Sequence, residues 1–295
     1  MSEHICPSCG KEVLAGWSAC PECGADLNGT CYACKKEIKP EWKICPFCKA
    51  KLICPDCGER MEGKVCENCE PGEDAEDEKD FNEGVELMEE QEWEAAIDSF
   101  TAYINAHDDE NDNQNAYFNR GLCFINLEQY NEGEADFSSV LEIDPENDGA
   151  FFNRGRCRYY TDQLPEALED FNESADLDPE HPKTFFFRGL VLLNQDMYEE
   201  AYDDFTRSIE MDPQDGNAFF NRALCSQHME NYKEAIPDYT KYLEIEGDDA
   251  DAYYNRSECY IALETPKEAF QDLIKARDLG SEKAAETIKM LESGH

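Results

Sequence analysis

The chain has 295 residues, 41% of them hydrophobic, and carries 26 Lys and Arg against 68 Asp and Glu, a formal net charge of -42. This length allows two domains, and the composition changes near residue 70, since residues 71–295 alone have a net charge of -40. So negative a field repels nucleic acid and anionic membrane surfaces, and it favours either basic partners or simple solubility.

The N-terminus and the cysteines indicate the compartment. The first residues, MSEHICPSCG, lack the charged-then-apolar order of a secretion signal. No apolar run approaches the roughly 20 residues that cross a bilayer. Thiols in this number stay reduced in the cytosol. We therefore expect a cytoplasmic protein without a membrane partner.

Twelve of the 16 cysteines lie before residue 70, and all twelve belong to C-x-x-C pairs. The pairs are Cys6 and Cys9, Cys20 and Cys23, Cys31 and Cys34, Cys45 and Cys48, Cys54 and Cys57, and Cys66 and Cys69. Two such pairs joined by a short loop suit a closed tetrahedral zinc site with no open position for substrate. The pattern predicts three structural Zn²⁺ ions; iron, redox-active thiols and a catalytic zinc are the alternatives.

The loops between the pairs repeat in content as well as length. The first two, KEVLAGWSAC and KEIKPEWKIC, share Lys-Glu, an aliphatic residue and a Trp three residues before Cys, which favours sequential over interleaved sites. The segment resembles the zinc ribbons, notably the double zinc ribbon, with ribbons at about 4–25, 30–50 and 53–70. The third departs from the pattern by a shorter loop without Trp. So small a module needs its metal to fold.

The middle ribbon is locally basic. Residues 31–53 contain six lysines against two glutamates, the lysines being Lys35, Lys36, Lys39, Lys43, Lys49 and Lys51. Either these side chains only solvate a small module, or they contact an acidic partner, for which the acidic half of this chain is one candidate. A nucleic-acid-associated or ribosome-associated factor acting through this ribbon is the alternative function.

An acidic stretch, CEPGEDAEDEKD, marks a hydrated linker over residues 71–80. After it, a 34-residue period recurs in AYFNRGL, AFFNRGR, TFFFRGL, AFFNRAL and AYYNRSE, which begin at residues 116, 150, 184, 218 and 252. Apolar residues within each period have helical spacing, and Asp-Pro turns follow. A single helix pair cannot bury its apolar face, so the units must stack.

This pattern resembles the tetratricopeptide repeat. The small residue in the family's first helix matches Gly84, Gly121, Gly155, Gly189, Ala223 and Ser257, and the one in its second helix matches Ala96, Gly133, Ala167, Ala201, Ala235 and Ala269. The resemblance implies an all-α fold, a right-handed superhelix of six helix-pair repeats plus a C-terminal capping helix over residues 77–292, preceded by small zinc ribbons with four cysteines each. The first repeat carries about three extra residues before Gln114.

Two residue types have a predicted packing role. The first aromatic of each copy shares a helix face with the small residue and is expected in the core. The Arg three residues after it recurs with an Asp sixteen residues further on, as in Arg154 and Asp170. The first repeat has Glu83 at the place of the Arg and Ser99 at the place of the Asp, so it lacks both partners. The Arg and the Asp therefore occur only together. We predict an ion pair that joins the two helices of a repeat, rather than a phosphate site.

The second aromatic and the following Asn have no core task in this pattern. In the tetratricopeptide family this side of the first helix lines the concave groove, and some members use a row of Asn amides to hold an extended peptide. The resemblance therefore implies peptide-binding residues at Asn82, Asn119, Asn153, Asn221, Asn255, Phe118, Phe152, Phe186, Phe220 and Tyr254. Packing between repeats, with Asn facing water, is the alternative.

These features predict a non-catalytic adaptor. Its expected partner is a protein or peptide segment of apolar and basic character, and the ribbons would form a second contact surface. Related co-chaperones grip a carboxyl terminus with a clamp of Lys, Asn and Arg side chains, but here the place of its first Lys holds Phe or Tyr in every repeat, which argues against chaperone tails as ligands. We do not expect this protein to be an enzyme, because its sequence offers no nucleophile with a base, no phosphate-binding loop and no metal site with an open position.

Overall fold

A computed structural model of the chain describes residues 4–5, 12–13, 79–107 and 110–293. Near the N-terminus, two short strands, β1 (His4–Ile5) and β2 (Glu12–Val13), pair antiparallel, with His4 opposite Val13 and Ile5 opposite Glu12. The twelve cysteines of the C-x-x-C pairs lie outside the described residues. The linker expected over 71–80 does so too up to residue 78, and a helix begins at Lys79.

The rest of the described chain is a succession of thirteen helices arranged as six pairs and a final helix. The first helices of the pairs are α1 (Lys79–Glu89), α3 (Glu110–Asn126), α5 (Asp148–Tyr160), α7 (Pro182–Asn194), α9 (Gly216–His228) and α11 (Ala250–Ala262). The second helices are α2 (Trp93–Ala106), α4 (Tyr130–Ile143), α6 (Leu164–Leu177), α8 (Tyr198–Met211), α10 (Tyr232–Glu246) and α12 (Pro266–Asp278), and α13 (Glu282–Ser293) is the final helix. The predicted six repeats with a capping helix are confirmed.

The turn inside each pair is set by one residue in the left-handed region. In five repeats this residue lies at the same place of the 34-residue period, from Glu128 (φ 58°) to Glu264 (φ 56°). The next amide closes the turn onto a carbonyl five residues earlier, as Gln129 N does with Phe124 O at 2.8 Å. This hydrogen bond is that of a Schellman motif, and it supports a conformation unfavourable by about 1–2 kcal/mol for a residue other than glycine.

The connection between pairs follows the Asp-Pro signals. The Asp before each Pro caps the preceding helix and accepts a hydrogen bond from the amide two residues on, for example Glu146 N to Asp144 Oδ1 at 3.2 Å. Asn147 then caps α5 by accepting from Ala150 N at 2.9 Å. The extra residues before Gln114 lengthen α3, which has 17 residues where α5 has 13.

The core of each repeat centres on an aromatic ring of the second helix. These fully buried rings are Phe100, Phe137, Phe171, Phe205 and Tyr239, and Leu273 takes the place in the last repeat. The predicted small residue of the first helix leaves space for that ring. A Cβ on Gly189, for example, would lie 2.9 Å from Phe205 Cε1. The final helix α13 buries Ala284 and Ile288 against Leu273 and so covers the last repeat.

Candidate peptide-binding surface

Consecutive first helices lie beside one another, and α3 contacts α5, α5 contacts α7, and α7 contacts α9. The Tyr159 ring of α5 and the Phe187 ring of α7 are 6.1 Å apart between centroids, and Asn194 Nδ2 donates to Tyr159 Oη at 3.4 Å. The first helices α3, α5, α7 and α9 therefore form one continuous surface, and a cavity lined by residues of both α9 and α11 extends it to the last repeat. We call it the first-helix face. It carries every residue that the sequence predicts to contact a peptide except Asn82, which lies on α1.

The second aromatic of each copy is part of the core. In five repeats its ring packs edge-on or tilted on the buried ring of the second helix, with centroid distances of 5.6 Å (Phe81 to Phe100), 5.5 Å (Phe118 to Phe137), 6.1 Å (Phe152 to Phe171), 5.8 Å (Phe186 to Phe205) and 5.6 Å (Phe220 to Tyr239). Tyr254 packs against the buried cluster that contains Leu273 and residues of α13. The expectation that these residues lack a core task is wrong, because each of them packs against a buried ring or cluster.

These rings differ in how much of their surface a ligand could reach. Phe152 is buried, with 7% of its surface exposed, whereas Phe118, Phe186, Phe220 and Tyr254 are half-buried. The half-buried rings are the members of this set that keep some solvent-accessible surface. Peptide contact by this stripe stays a prediction.

The first aromatic lies under the guanidinium of the Arg three residues later. Phe185 and Phe219 are buried, and Tyr117, Phe151 and Tyr253 are half-buried. The Arg Cζ stands 5.3 to 5.6 Å from the ring centroid in five repeats, for example 5.5 Å for Arg154 over Phe151. The predicted core position is confirmed for Phe185 and Phe219, whereas the other three rings pack against the edge of core clusters. In all five a cation–π contact holds the arginine above the ring.

The predicted Arg–Asp pairs form in all five repeats, and each is bidentate. In the second repeat Arg120 Nη2 and Nε lie 2.7 and 2.8 Å from the two oxygens of Asp136. The same pair joins Arg154 to Asp170, Arg188 to Asp204, Arg222 to Asp238 and Arg256 to Asp272. These arginines are structural, as the sequence predicts.

Each pair also reaches the preceding repeat, which the sequence did not indicate. The remaining nitrogen, Nη1, donates to a side-chain oxygen of the preceding second helix, such as Thr101 Oγ1 at 2.9 Å from Arg120 and Thr240 Oγ1 at 2.8 Å from Arg256. One guanidinium therefore connects three helices and two repeats.

In the Arg120–Asp136 pair, burial acts on the pKa of both partners. It raises the pKa of Asp136, and the hydrogen bonds and charge of Arg120 oppose that shift without cancelling it. Burial alone would lower the pKa of Arg120, but the hydrogen bond and charge of Asp136 outweigh it, so that pKa is raised. The ion pair thus offsets only part of the cost of removing the carboxylate from water.

The asparagines do not form a uniform row. Asn153 is buried, its Nδ2 donates to Gly149 O at 2.8 Å and its Oδ1 accepts from Arg156 Nη1 at 3.0 Å. Asn221 Nδ2 likewise donates to Asn217 O at 2.8 Å, but Asn221 is half-buried and its oxygen stays open. Asn153 is therefore the member of the predicted set least able to bond a ligand.

The remaining asparagines are more accessible. Asn119 and Asn255 are half-buried, and within the described part of the chain their amides have no hydrogen-bond partner. Asn82 is exposed and already interacts with other residues. Asn255 also lines a cavity of about 520 Å³ together with His228, Glu230 and Glu258. Two carboxylates at its wall make this cavity suited to a basic side chain.

A cluster around Arg156 was missed by the sequence analysis. The Arg156 Cζ lies 5.6 Å from the Phe152 centroid and 5.5 Å from that of Phe187. Arg156 stands where Leu122 and Leu190 stand in the adjacent repeats, and Phe187 replaces the Asn of the motif. The signal available in the sequence was this double departure from the period.

Exposed aromatic rings continue from this cluster. Tyr160 has 49% of its surface exposed, and its ring stacks on that of Tyr130 with 4.7 Å between centroids. It also meets Tyr159 at 5.3 Å and Phe187 at 6.4 Å. The first-helix face is therefore most aromatic between the second and fourth repeats.

The cysteines of the helices are buried thiols, as expected. Burial raises the pKa of Cys123, Cys157, Cys225 and Cys259 to about 12, so they stay protonated at neutral pH and are poor nucleophiles and metal ligands. Among the described side chains, no group of three His, Cys, Asp or Glu could hold a metal. None of the described helices is both long and apolar enough to cross a bilayer.

Comparison with protein families agrees with this architecture. The double zinc ribbon family model matches residues 6–49, and tetratricopeptide repeat models match residues 115–147, 152–218 and 216–249. The chain carries tetratricopeptide repeats preceded by a double zinc ribbon. The ribbon match contains the first four C-x-x-C pairs and ends before the last two.

Solved tetratricopeptide structures share the fold at low identity. YrrB, described as having an unusual peptide-binding site, is 23% identical, with 64% of this chain and 97% of that chain covered and a TM-score of 0.57. A repeat protein from Parabacteroides merdae is 19% identical (73% and 96% covered, TM-score 0.55), and MamA is 20% identical (58% and 94%, TM-score 0.53). Such identities support the fold alone. Comparison with curated protein sequences gives no significant match.

Proposed function

We propose that this protein is a non-catalytic cytoplasmic adaptor that binds an extended peptide segment on the first-helix face of its tetratricopeptide array. The observation that carries the proposal is the recurrence of half-buried rings at one place of the period on the first-helix face, namely Phe118, Phe186, Phe220 and Tyr254, interrupted only at the buried Phe152. The peptide-binding site described for YrrB supports the same use of the fold.

The ligand of this face is apolar with some positive charge. Its apolar side chains pack on the ring edges, and the net charge of -40 on residues 71–295 attracts basic groups. The cavity lined by Glu230, Asn255 and Glu258 is a place for one Lys or Arg of the ligand. Open amides at Asn119, Asn221 and Asn255 bond its backbone.

Selection from a display library of random short peptides, using the full chain as bait, tests this function. We expect enrichment of apolar and basic sequences, and loss of it when Asn119, Asn221 and Asn255 are changed together to alanine. The matched control changes Asn131 and Asn231, which are exposed at the starts of second helices, to alanine. Selection of no peptide, or equal loss with the control, would refute the proposal.

The cysteine pairs hold three structural Zn²⁺ ions in this proposal, because pairs of thiolates are the donors that closed zinc sites use. The matched ribbon family supports the first two sites. Native mass spectrometry of the full chain should show three bound zinc ions at saturation. A maximum of two would remove the third ribbon as a metal site.

Nucleic-acid or ribosome binding by the lysines of the middle ribbon is the second candidate. Its support is the local excess of six lysines in residues 31–53. Titration of the full chain with RNA at several salt concentrations distinguishes it, since phosphate contacts weaken steeply as salt rises.

A further inference from the structure

We propose that Arg156 is an anchoring site for one carboxylate of the bound peptide, next to an apolar side chain that packs on the surrounding rings. This proposal deepens the function proposed above and rests on it. It assigns a ligand group to a residue outside the set predicted from the asparagine and aromatic motif.

The donors of Arg156 are incompletely used. Nη1 donates to Asn153 Oδ1 at 3.0 Å, while Nε is buried without a hydrogen-bond partner among the described residues. Nη2 has no partner there either and remains open to solvent. A guanidinium normally satisfies its donors with carboxylates or carbonyls, so this one is short of an acceptor, and Nη2 is the donor that a ligand can reach.

The lack of a carboxylate is unusual for an arginine of this acidic protein. Of the nine arginines in the described helices, seven lie within 4.0 Å of an Asp or Glu oxygen. The exceptions are Arg156 and Arg207, and Arg207 donates to the carbonyl of Pro179 at 3.0 Å. Arg156 is therefore the arginine of this set for which a ligand oxygen is the missing partner.

The surroundings strengthen a contact with an anion. Phe152 and Phe187 lie over the guanidinium, and Tyr159 and Tyr160 continue the aromatic surface beside Phe187. Rings that exclude water lower the local dielectric constant, so a charged hydrogen bond here is stronger than one in open solvent. The same rings offer apolar contact to the side chain that neighbours the carboxylate.

The overall negative charge limits the ligand without excluding it. At physiological salt the field of distant carboxylates is screened beyond about 8 Å, so the contacts around Arg156 decide the binding of a single carboxylate. A strongly acidic peptide would still be repelled on approach. The anchored segment therefore has one carboxylate in an otherwise apolar or basic context.

Small carboxylates test the site without any knowledge of the natural ligand. The arginine Nε–H resonances of the full chain are followed by NMR during titration with N-acetylphenylalanine, with its amide, and with an α-amidated N-acetylglutamate. We expect a saturable shift of the Arg156 signal with one or both carboxylates, and none with the amide. The first and third probes distinguish a chain terminus from an acidic side chain.

Two variants provide the controls. Arg156→Leu introduces the residue that the adjacent repeats carry at this place, assigns the signal by its disappearance, and should abolish all shifts elsewhere on the first-helix face. Arg207→Leu removes the other arginine without a carboxylate, on a second helix, and should leave the titration unchanged. Equal shifts with acid and amide, or no shift with either carboxylate, would overturn the proposal.

Failure of this site and failure of the proposed function give different results. If library selection succeeds but the carboxylates leave Arg156 unmoved, the peptide face stands and the anchor is refuted. If the carboxylates bind and Arg156→Leu abolishes the shift while no peptide is selected, the anchor stands and the peptide function fails.

Discussion

At the scale of single residues, the array relies on charged groups placed where water is largely excluded. The five paired aspartates retain 2 to 7% of their surface, and each meets its arginine through two hydrogen bonds. Asp170 differs from the others because a second arginine, Arg158, donates to its Oδ2 at 2.9 Å. The loss of one arginine should therefore have unequal effects at different repeats.

Arg222→Ala should destabilise the protein more than Arg154→Ala does. The first change leaves Asp238 buried without an arginine, at a cost on the order of 3 kcal/mol, whereas Asp170 keeps Arg158 after the second.

The double variant Arg222→Ala and Asp238→Ala should cost less than the sum of its single variants, because the partners are in contact. Urea unfolding measures all four, and strict additivity would show that the pair contributes nothing as a pair.

The asparagines should divide into structural and accessible ones. Asn153→Ala removes a buried amide with two partners, so it should lower the free energy of unfolding by about 1–3 kcal/mol. Asn119→Ala removes a half-buried amide without a described partner and should change it by less than about 0.5 kcal/mol. Thermal melting of both variants is the measurement, and equal melting temperatures would contradict the distinction.

At the scale of elements, a helix pair is held together by a ring of the second helix lying against a small residue of the first. This contact determines how closely the two helices approach. Gly189 and Phe205 are one such pair, and Ala223 with Tyr239 is the corresponding pair in the next repeat. The second aromatic of the first helix also packs on this buried ring, as Phe186 does on Phe205 and Phe220 does on Tyr239.

Gly189→Ala should destabilise the array by about 1–3 kcal/mol through overpacking, since the new Cβ would lie 2.9 Å from the fully buried ring of Phe205. Adding Phe205→Leu to Gly189→Ala should recover part of the loss. Denaturant unfolding of the two variants decides the matter. A stabilised Gly189→Ala protein would mean that helix propensity outweighs the contact.

At the scale of the whole molecule, the ribbons and the helices depend on different forces. We expect the ribbons to be held by metal, whereas the described helices bury a ring or leucine in every repeat. An acidic linker gives little reason for coupling between them. Removing the metal should therefore affect one part of the chain.

Chelation should leave the helical circular dichroism of the full chain nearly unchanged and expose only the ribbon thiols. Alkylation at pH 8 after chelation should modify the twelve cysteines of the pairs, while the four helix cysteines stay protected because burial raises each pKa to about 12. Peptide mapping by mass spectrometry, with an unchelated sample as control, measures both sets. Labelling of Cys157 and Cys225 together with the ribbons would show that the two parts unfold together.

The number of repeats, the helix pairs and the Arg–Asp pairs could all be predicted from the sequence. Helical spacing is a local property, and a period of 34 residues repeats every local signal. Because an Arg and an Asp recur together in each copy, their pairing, as in Arg120 and Asp136, can be predicted. The turn inside each pair was not marked by Gly, because a Schellman hydrogen bond holds residues such as Glu128 in the left-handed region.

The packing of the helices, in contrast, determines which side chains of the first-helix face remain available to a ligand. Phe152 and Asn153 belong to the same motif as Phe118 and Asn119, yet the first two are buried. The reason is that exposure depends on neighbours from other helices, such as Phe171 and Phe187, which lie far away in the sequence. The missing acceptor of Arg156 also depends on side chains of other helices, so the departures from the period at Arg156 and Phe187 mark an unusual place without showing that a donor is unpaired.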